Sequence, residues 1–185
     1  MKTNPDRPRL EDVWEQYQVT RDSIVQAAEH TKGSIAFASG TTHPRFFAMS
    51  LDEVEEFFRA RLDETDRQAC LSLVASAEAA LCVDFWERVH GRKKDPVSRA
   101  FRGISRIPCA HGRLKVRLDE HILQTWAEMV PQAKARVGEL RGALKYRHWL
   151  AHGRWWVPKF GRQYDPTGLL RIITELFKKV KLTAL

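Results

Sequence analysis

Residues 145–156 read KYRHWLAHGRWW. His148 and His152 stand four apart, so on a helix their rings share a face. Arg147 lies one position to the side, and Arg154 follows just past the next glycine. Histidine is the side chain whose charge changes near neutral pH, and arginine is a permanent cation. Those types suit chemistry at a phosphate. RNA cleavage through the 2′-hydroxyl needs a group to take or orient the 2′-OH proton and a group to protonate the leaving 5′-oxygen. It also needs a cation for the charge that develops on the phosphoryl oxygens. A histidine and an arginine supply most of this without a metal. Two copies facing each other would supply it better, and an isologous dimer brings the same helix end from both subunits to one point. Lys145, Arg154, Lys159 and Arg162 could steer RNA phosphates. The plainer reading is a basic helix end, where the helix dipole favours cations. Trp149, Trp155 and Trp156 could stack on bases, but core or interface anchoring is the favoured reading for them.

The elements that must position these residues read as helices nearly throughout. Residues 10–30 form a first helix, and 31–49 read as a connector rich in Gly, Ser, Thr and Pro. Ser50 and Glu53 make a capping-box signature for a helix that starts at 51. A break is expected near Asp63–Asp66, before a long helix that runs to Gly91. Its apolar stripe is Cys70, Val74, Ala77, Leu81 and Phe85, at three- and four-residue steps. Glu78 and Asp84 lie near that stripe, and a buried carboxylate needs a partner. Arg88 is placed to pair with Asp84, whereas Glu78 must find its partner on another helix. Asp95–Pro96 and Asp165–Pro166 open two further helices. Residues 107–117 read as a loop with a short extended piece, 118–130 as a helix, and Pro131 as the point where the next helix kinks or restarts. Gly153 ends that helix. The expected fold class is all-α, a helical bundle. Residues 1–64 are expected to be an N-terminal helical extension and connector, and 65–185 the bundle itself.

A chain of 185 residues with 43% hydrophobic and 29% charged residues can bury a sizeable core. The net charge is +8, and it is unevenly spread. From Lys134 to Lys181 there are twelve Lys and Arg against Glu139, Asp165 and Glu175, while residues 1–133 hold nineteen bases and twenty acids. That asymmetry suggests an anionic partner, with a solvated basic surface as the equal alternative. No uncharged apolar run approaches bilayer length, and the polar start lacks the apolar core of a secretory signal. With three cysteines no disulfide framework suggests itself, so a cytoplasmic protein with reduced thiols and no membrane contact is expected. Cys109 and His111 are a weak zinc hint that lacks the paired spacing of a structural site. No nucleotide-binding loop or metalloprotease motif is present, and neither a metal nor a cofactor is expected.

The stretch Arg147-His148-Trp149-Leu150-Ala151-His152 resembles the R-x4-6-H motif of the HEPN superfamily, and the LAHG that ends it is a usual continuation. HEPN domains are helical bundles that commonly dimerise. Many are metal-independent endoribonucleases of toxin–antitoxin, phage-defence or CRISPR-linked systems. The resemblance implies Arg147 and His152 as a catalytic pair in a cleft at a dimer interface. His148 would hold the polar motif position, where Asn or Asp is more frequent. The helix bearing SLVASAEAALCVDF is similar to the acidic helix of the RiboL-PSP group, which implies that Glu78 orients the motif residues. The resemblance spans roughly residues 65–180. In toxins paired with a nucleotidyltransferase antitoxin, a modified Tyr often lies two residues after the motif His. Here that position is Arg154, so that mode of silencing does not carry over.

The sequence thus predicts a homodimeric RNA-cleaving enzyme, with an antitoxin or defence-system protein as a further partner. Two other readings stand beside it: a non-catalytic RNA-binding or adaptor module on the same scaffold, and a helical scaffold subunit that uses its tryptophans as contacts.

Overall fold

The computed structural model describes residues 6–37, 43–109, 112–113 and 115–182. It is all-helical, apart from a two-residue antiparallel pairing of Pro108 with Arg113 and Cys109 with Gly112. Six α-helices are present among the described residues: α1 (Leu10–Ala36), α2 (Leu51–His90), α3 (Pro96–Ser105), α4 (Gln124–Met129), α5 (Lys134–Ala151) and α6 (Pro166–Val180).

Local chemistry sets most boundaries. Ser50 accepts the Glu53 backbone N–H, and the Glu53 carboxylate accepts the Ser50 N–H at 2.7 Å, so α2 starts on a closed capping box. Asp95 and Asp165 cap α3 and α6 through the N–H groups of Ser98 and Gly168, with Pro at the first helical position of each. A π-helical stretch, Leu118–Leu123, leads directly into α4. Pro131 then opens a 3₁₀ turn, Pro131–Ala133, between α4 and α5.

Two expectations are corrected. First, α1 continues to Ala36, so residues 31–36 are helical and not connector. Thr31 donates its hydroxyl to the Ala27 carbonyl, and Ile35 packs with Ile24 and Ala28 on Phe46, Val54 and Phe58. That burial outweighs the cost of about 1 kcal/mol for Gly33 inside a helix. Second, no break occurs near Asp63–Asp66, because α2 is one helix of 40 residues. Its span contains no Pro or Gly, and its acids there have partners: Tyr17 of α1 donates to Asp66 at 2.9 Å, and Arg67 of α2 itself and Arg154 meet Glu64. The residue 64/65 division therefore falls inside one continuous helix.

Three contacts show that α1 runs antiparallel along α2. Ser76 bonds the Pro8 carbonyl, Tyr17 meets Asp66, and Lys32 meets Glu55. The C-terminal half of α2 is the centre of the bundle. Cys70, Val74, Ala77, Leu81 and Phe85 are all buried, against Phe101 of α3, Trp126 of α4, Leu140 of α5 and Leu169, Ile173 and Leu176 of α6. By length and composition α2 could cross a bilayer, since an 18-residue stretch has a mean hydropathy of 1.5. In the fold 61% of that stretch is buried, which is how a core helix meets the same criterion. Asp84 and Arg88 form the expected pair, with the Arg88 Nε donating to both carboxylate oxygens at 2.9 and 3.0 Å.

Candidate functional site

The site begins with how α5 stops. His152 is its last partly helical residue, and Gly153 follows at φ +76°, a backbone state that glycine adopts without penalty. The Arg154 N–H reaches the Trp149 carbonyl at 3.2 Å and the Gly153 N–H reaches Leu150 at 3.3 Å, the two bonds of a Schellman motif. Arg154 itself sits at φ +57°, so the chain reverses sharply there. The reversal leaves His148 and His152 exposed on the outer face of the helix end, with ring centroids 4.1 Å apart.

Arg147 looks elsewhere. It is half-buried, and its Nη2 lies 3.4 Å from Glu78 Oε2 on α2. Glu78 thus has its partner on another helix, 69 residues away in the chain. The Arg147 Nε is buried and has no hydrogen-bond partner. No hydrogen bond or ion pair joins Arg147 to His152 among the described residues. The single chain brings His148 to His152 and Arg147 to Glu78, as two adjacent pairs on one helix end.

The four cations divide similarly. Arg154 donates to Glu64 at 2.6 Å, and Arg162 lies 3.4 Å from Glu139 with its guanidinium 5.5 Å from the Tyr164 ring centre. The hydrogen bond from Arg154 holds the Glu64 carboxyl below its ordinary pKa. Lys145 and Lys159 are exposed and carry no ion pair among the described residues. The tryptophans have separate fates. Trp149 is half-buried, stacks on Tyr146 and donates its indole N–H to the Trp156 carbonyl at 2.8 Å. Trp156 is half-buried. Trp155 is 81% exposed and meets the chain edge-on at the Trp156 ring, 5.1 Å between centroids, and Val157 is 93% exposed.

Several residues around the site carried no readable signal in the sequence. Tyr146 stacks between Trp149 and Tyr164, and Phe160 sits edge-on to Tyr146 and Trp149. The Tyr164 hydroxyl closes over α5 at Gly142, where a Cβ would collide with it. This cluster pins residues 153–165 back onto the helix. With Asp63, Asp66, Arg67 and Cys70 of α2 it walls a half-open cavity of about 570 Å³. Burial raises the Cys70 thiol pKa to about 12, and the charges of Asp66 and Asp165 add to the shift, so Cys70 is a neutral wall and not a nucleophile.

No family model matches the chain, and no curated protein or solved structure is significantly similar to it. The site is therefore read from its own chemistry. No group of three or more His, Cys, Asp or Glu able to hold a metal lies among the described residues. Cys109 and His111 fall outside this test, because His111 and the Cys109 side chain are not among the described positions. What the helix end offers is two accessible imidazoles, one anchored guanidinium and a rim of cations.

Proposed function

We propose that the protein is a HEPN-type, metal-independent endoribonuclease that acts as a homodimer. The observation that carries this reading is the helix end itself: two exposed imidazoles in contact, next to an arginine fixed by a carboxylate of the core helix. His152 acts as general base or acid, and His148 supports it. The base takes the 2′-OH proton as the O2′–P bond forms. The P–O5′ bond breaks, and a protonated imidazole gives its proton to the 5′-oxygen, leaving a 2′,3′-cyclic phosphate. Arg147 stabilises the charge on the phosphoryl oxygens, and Glu78 keeps its guanidinium in place. Lys145, Lys159, Arg154 and Arg162 hold the backbone, and the aromatic cavity offers a face to a neighbouring base.

The second copy completes the site, because in one chain Arg147 meets Glu78 and no hydrogen bond or ion pair joins it to His152 among the described residues. Trp155 and Val157 provide exposed apolar area beside the motif for that pairing. A cytoplasmic toxin or defence role, with an antitoxin or defence-system partner, follows from the HEPN resemblance. The same separation of Arg147 and His152 favours a second reading, an RNA-binding module without catalysis.

The test is incubation of the purified protein with total RNA in excess chelator. Cleavage is expected, and His152→Ala is expected to abolish it while circular dichroism and native mass stay unchanged. Undiminished cleavage by that variant sinks the catalytic assignment. RNA retention without cleavage by the wild type selects the binding module.

A further inference from the structure

We propose that His148 and His152 form a two-imidazole chelate for a divalent transition-metal ion, a site distinct from any role of metal in the cleavage chemistry. The geometry suits it. Histidines four apart on one helix face are a standard metal-binding pair, and these two rings lie 4.1 Å apart by their centroids, tilted by 53°. Two nitrogens that share a tetrahedral ion at about 2.0–2.1 Å lie roughly 3.3 Å from each other. Small rotations of two exposed rings reach that separation.

The rings are also free to ligate. His43 Nδ1 accepts a backbone N–H, His121 Nδ1 accepts the Arg117 N–H, and His90 Nδ1 is bonded to the Trp86 carbonyl. No hydrogen bond occupies a ring nitrogen of His148 or His152 among the described residues. The surrounding charge does not oppose a cation as strongly as the basic sequence suggests. Arg147 is paired with Glu78 and Arg154 with Glu64, and the carbonyl end of α5 carries partial negative charge. One chain supplies two ligands, since no third joins them among the described residues. Water, or the same pair from a second copy, fills the remaining positions. Imidazole ligands of this kind bind Cu²⁺ most tightly, ahead of Ni²⁺ and Zn²⁺.

The proposal rests on the helix end alone and not on the ribonuclease reading. It does bear on that reading, because an ion on His152 removes the lone pair that a general base needs.

The experiment is calorimetric titration of the untagged full chain with CuCl₂, NiCl₂ and ZnCl₂, alongside His148→Ala, His152→Ala and the control His121→Ala. Both positions are exposed, so the variants are expected to keep the wild-type helical spectrum. Losing one arm of a chelate removes the intramolecular advantage of the second, so each single variant is expected to bind about 10²-fold more weakly. The control is expected to bind as wild type. Ring-proton signals of His148 and His152 are expected to broaden first under substoichiometric Cu²⁺. Wild-type affinity in either single variant, or first broadening at other histidines, overturns the site. A chain that binds the ion through this pair and cleaves no RNA refutes the proposed function and leaves the metal site standing. In a chain that does cleave, saturating Zn²⁺ is expected to suppress cleavage and chelator to restore it.

Discussion

Two of the carboxylate–arginine pairs on α2, Asp84 with Arg88 and Glu78 with Arg147, are built to opposite specifications. At Asp84 the carboxylate is fully buried and Arg88 is 8% exposed. The guanidinium donates to both Asp84 oxygens, to Asp95 at 3.4 Å and to the Lys181 carbonyl at 3.0 Å, and it lies 4.9 Å from the Trp126 ring centre. All three of its nitrogens are engaged. Six residues earlier, Glu78 and Arg147 are 34% and 35% exposed, joined by one contact at 3.4 Å. Arg147 Nε has no partner. Arginine has five N–H donors, so the second pair keeps most of its binding capacity and the first keeps little. One pair closes the bundle, and the other leaves its arginine with donors to spare.

The largest test of this contrast is Asp84→Ala. It takes from the buried Arg88 its close carboxylate and leaves only Asp95 at 3.4 Å, and loss of about 3–5 kcal/mol is expected, read from denaturant midpoints at unchanged slope. A loss as small as that of an exposed pair would erase the distinction. Arg147→Ala is the mirror experiment. Stability is expected to fall by less than about 1 kcal/mol, as for exposed ion pairs. RNA cleavage is expected to fall about 10²–10³-fold, the effect of removing one donor to a developing oxyanion. A variant that loses stability without losing cleavage would make Arg147 a second Arg88.

How much of this could be read in advance depends on the range of the interaction. The buried stripe from Cys70 to Phe85 is a periodicity of one helix, and the caps at Ser50, Asp95 and Asp165 are local hydrogen bonds, so both were legible. The stop at Gly153 was legible for the same reason. The extension of α1 through Gly33 and the unbroken run of α2 through Asp63–Asp66 were not. There, packing between two antiparallel helices overrides local propensity. In the site, the His148–His152 contact follows from spacing alone, whereas Glu64 against Arg154 and Tyr164 over Gly142 join residues by chain reversal. Such reversals have no period to detect.

Gly142 probes the aromatic cluster beside the second pair. Gly142→Ala gains about 1 kcal/mol of helix propensity but forces the Tyr164 hydroxyl aside, an overpacking cost of about 1–3 kcal/mol. A net loss of up to about 2 kcal/mol is expected. Tyr164→Phe in the same chain is expected to recover part of it, because the colliding oxygen is gone. Additive effects of the two changes would show that the contact does not set the position of residues 153–165.

The smallest effect is expected at Arg154, and its pH dependence identifies the cause. Arg154→Ala removes the 2.6 Å bond to Glu64 between two partly exposed groups, so about 0–1 kcal/mol is at stake. That bond depresses the Glu64 pKa from its ordinary value of 4.5. A carboxyl with a depressed folded-state pKa contributes stability above its unfolded value and loses it as pH falls through the folded value. Wild type and variant should therefore differ at neutral pH and converge in acid below the ordinary glutamate range. Added salt should narrow the neutral-pH gap. Denaturation midpoints of the two proteins across pH measure this directly. A gap that persists in acid would mean that Arg154 acts through the packing of its aliphatic stem and the backbone reversal, with Glu64 a bystander.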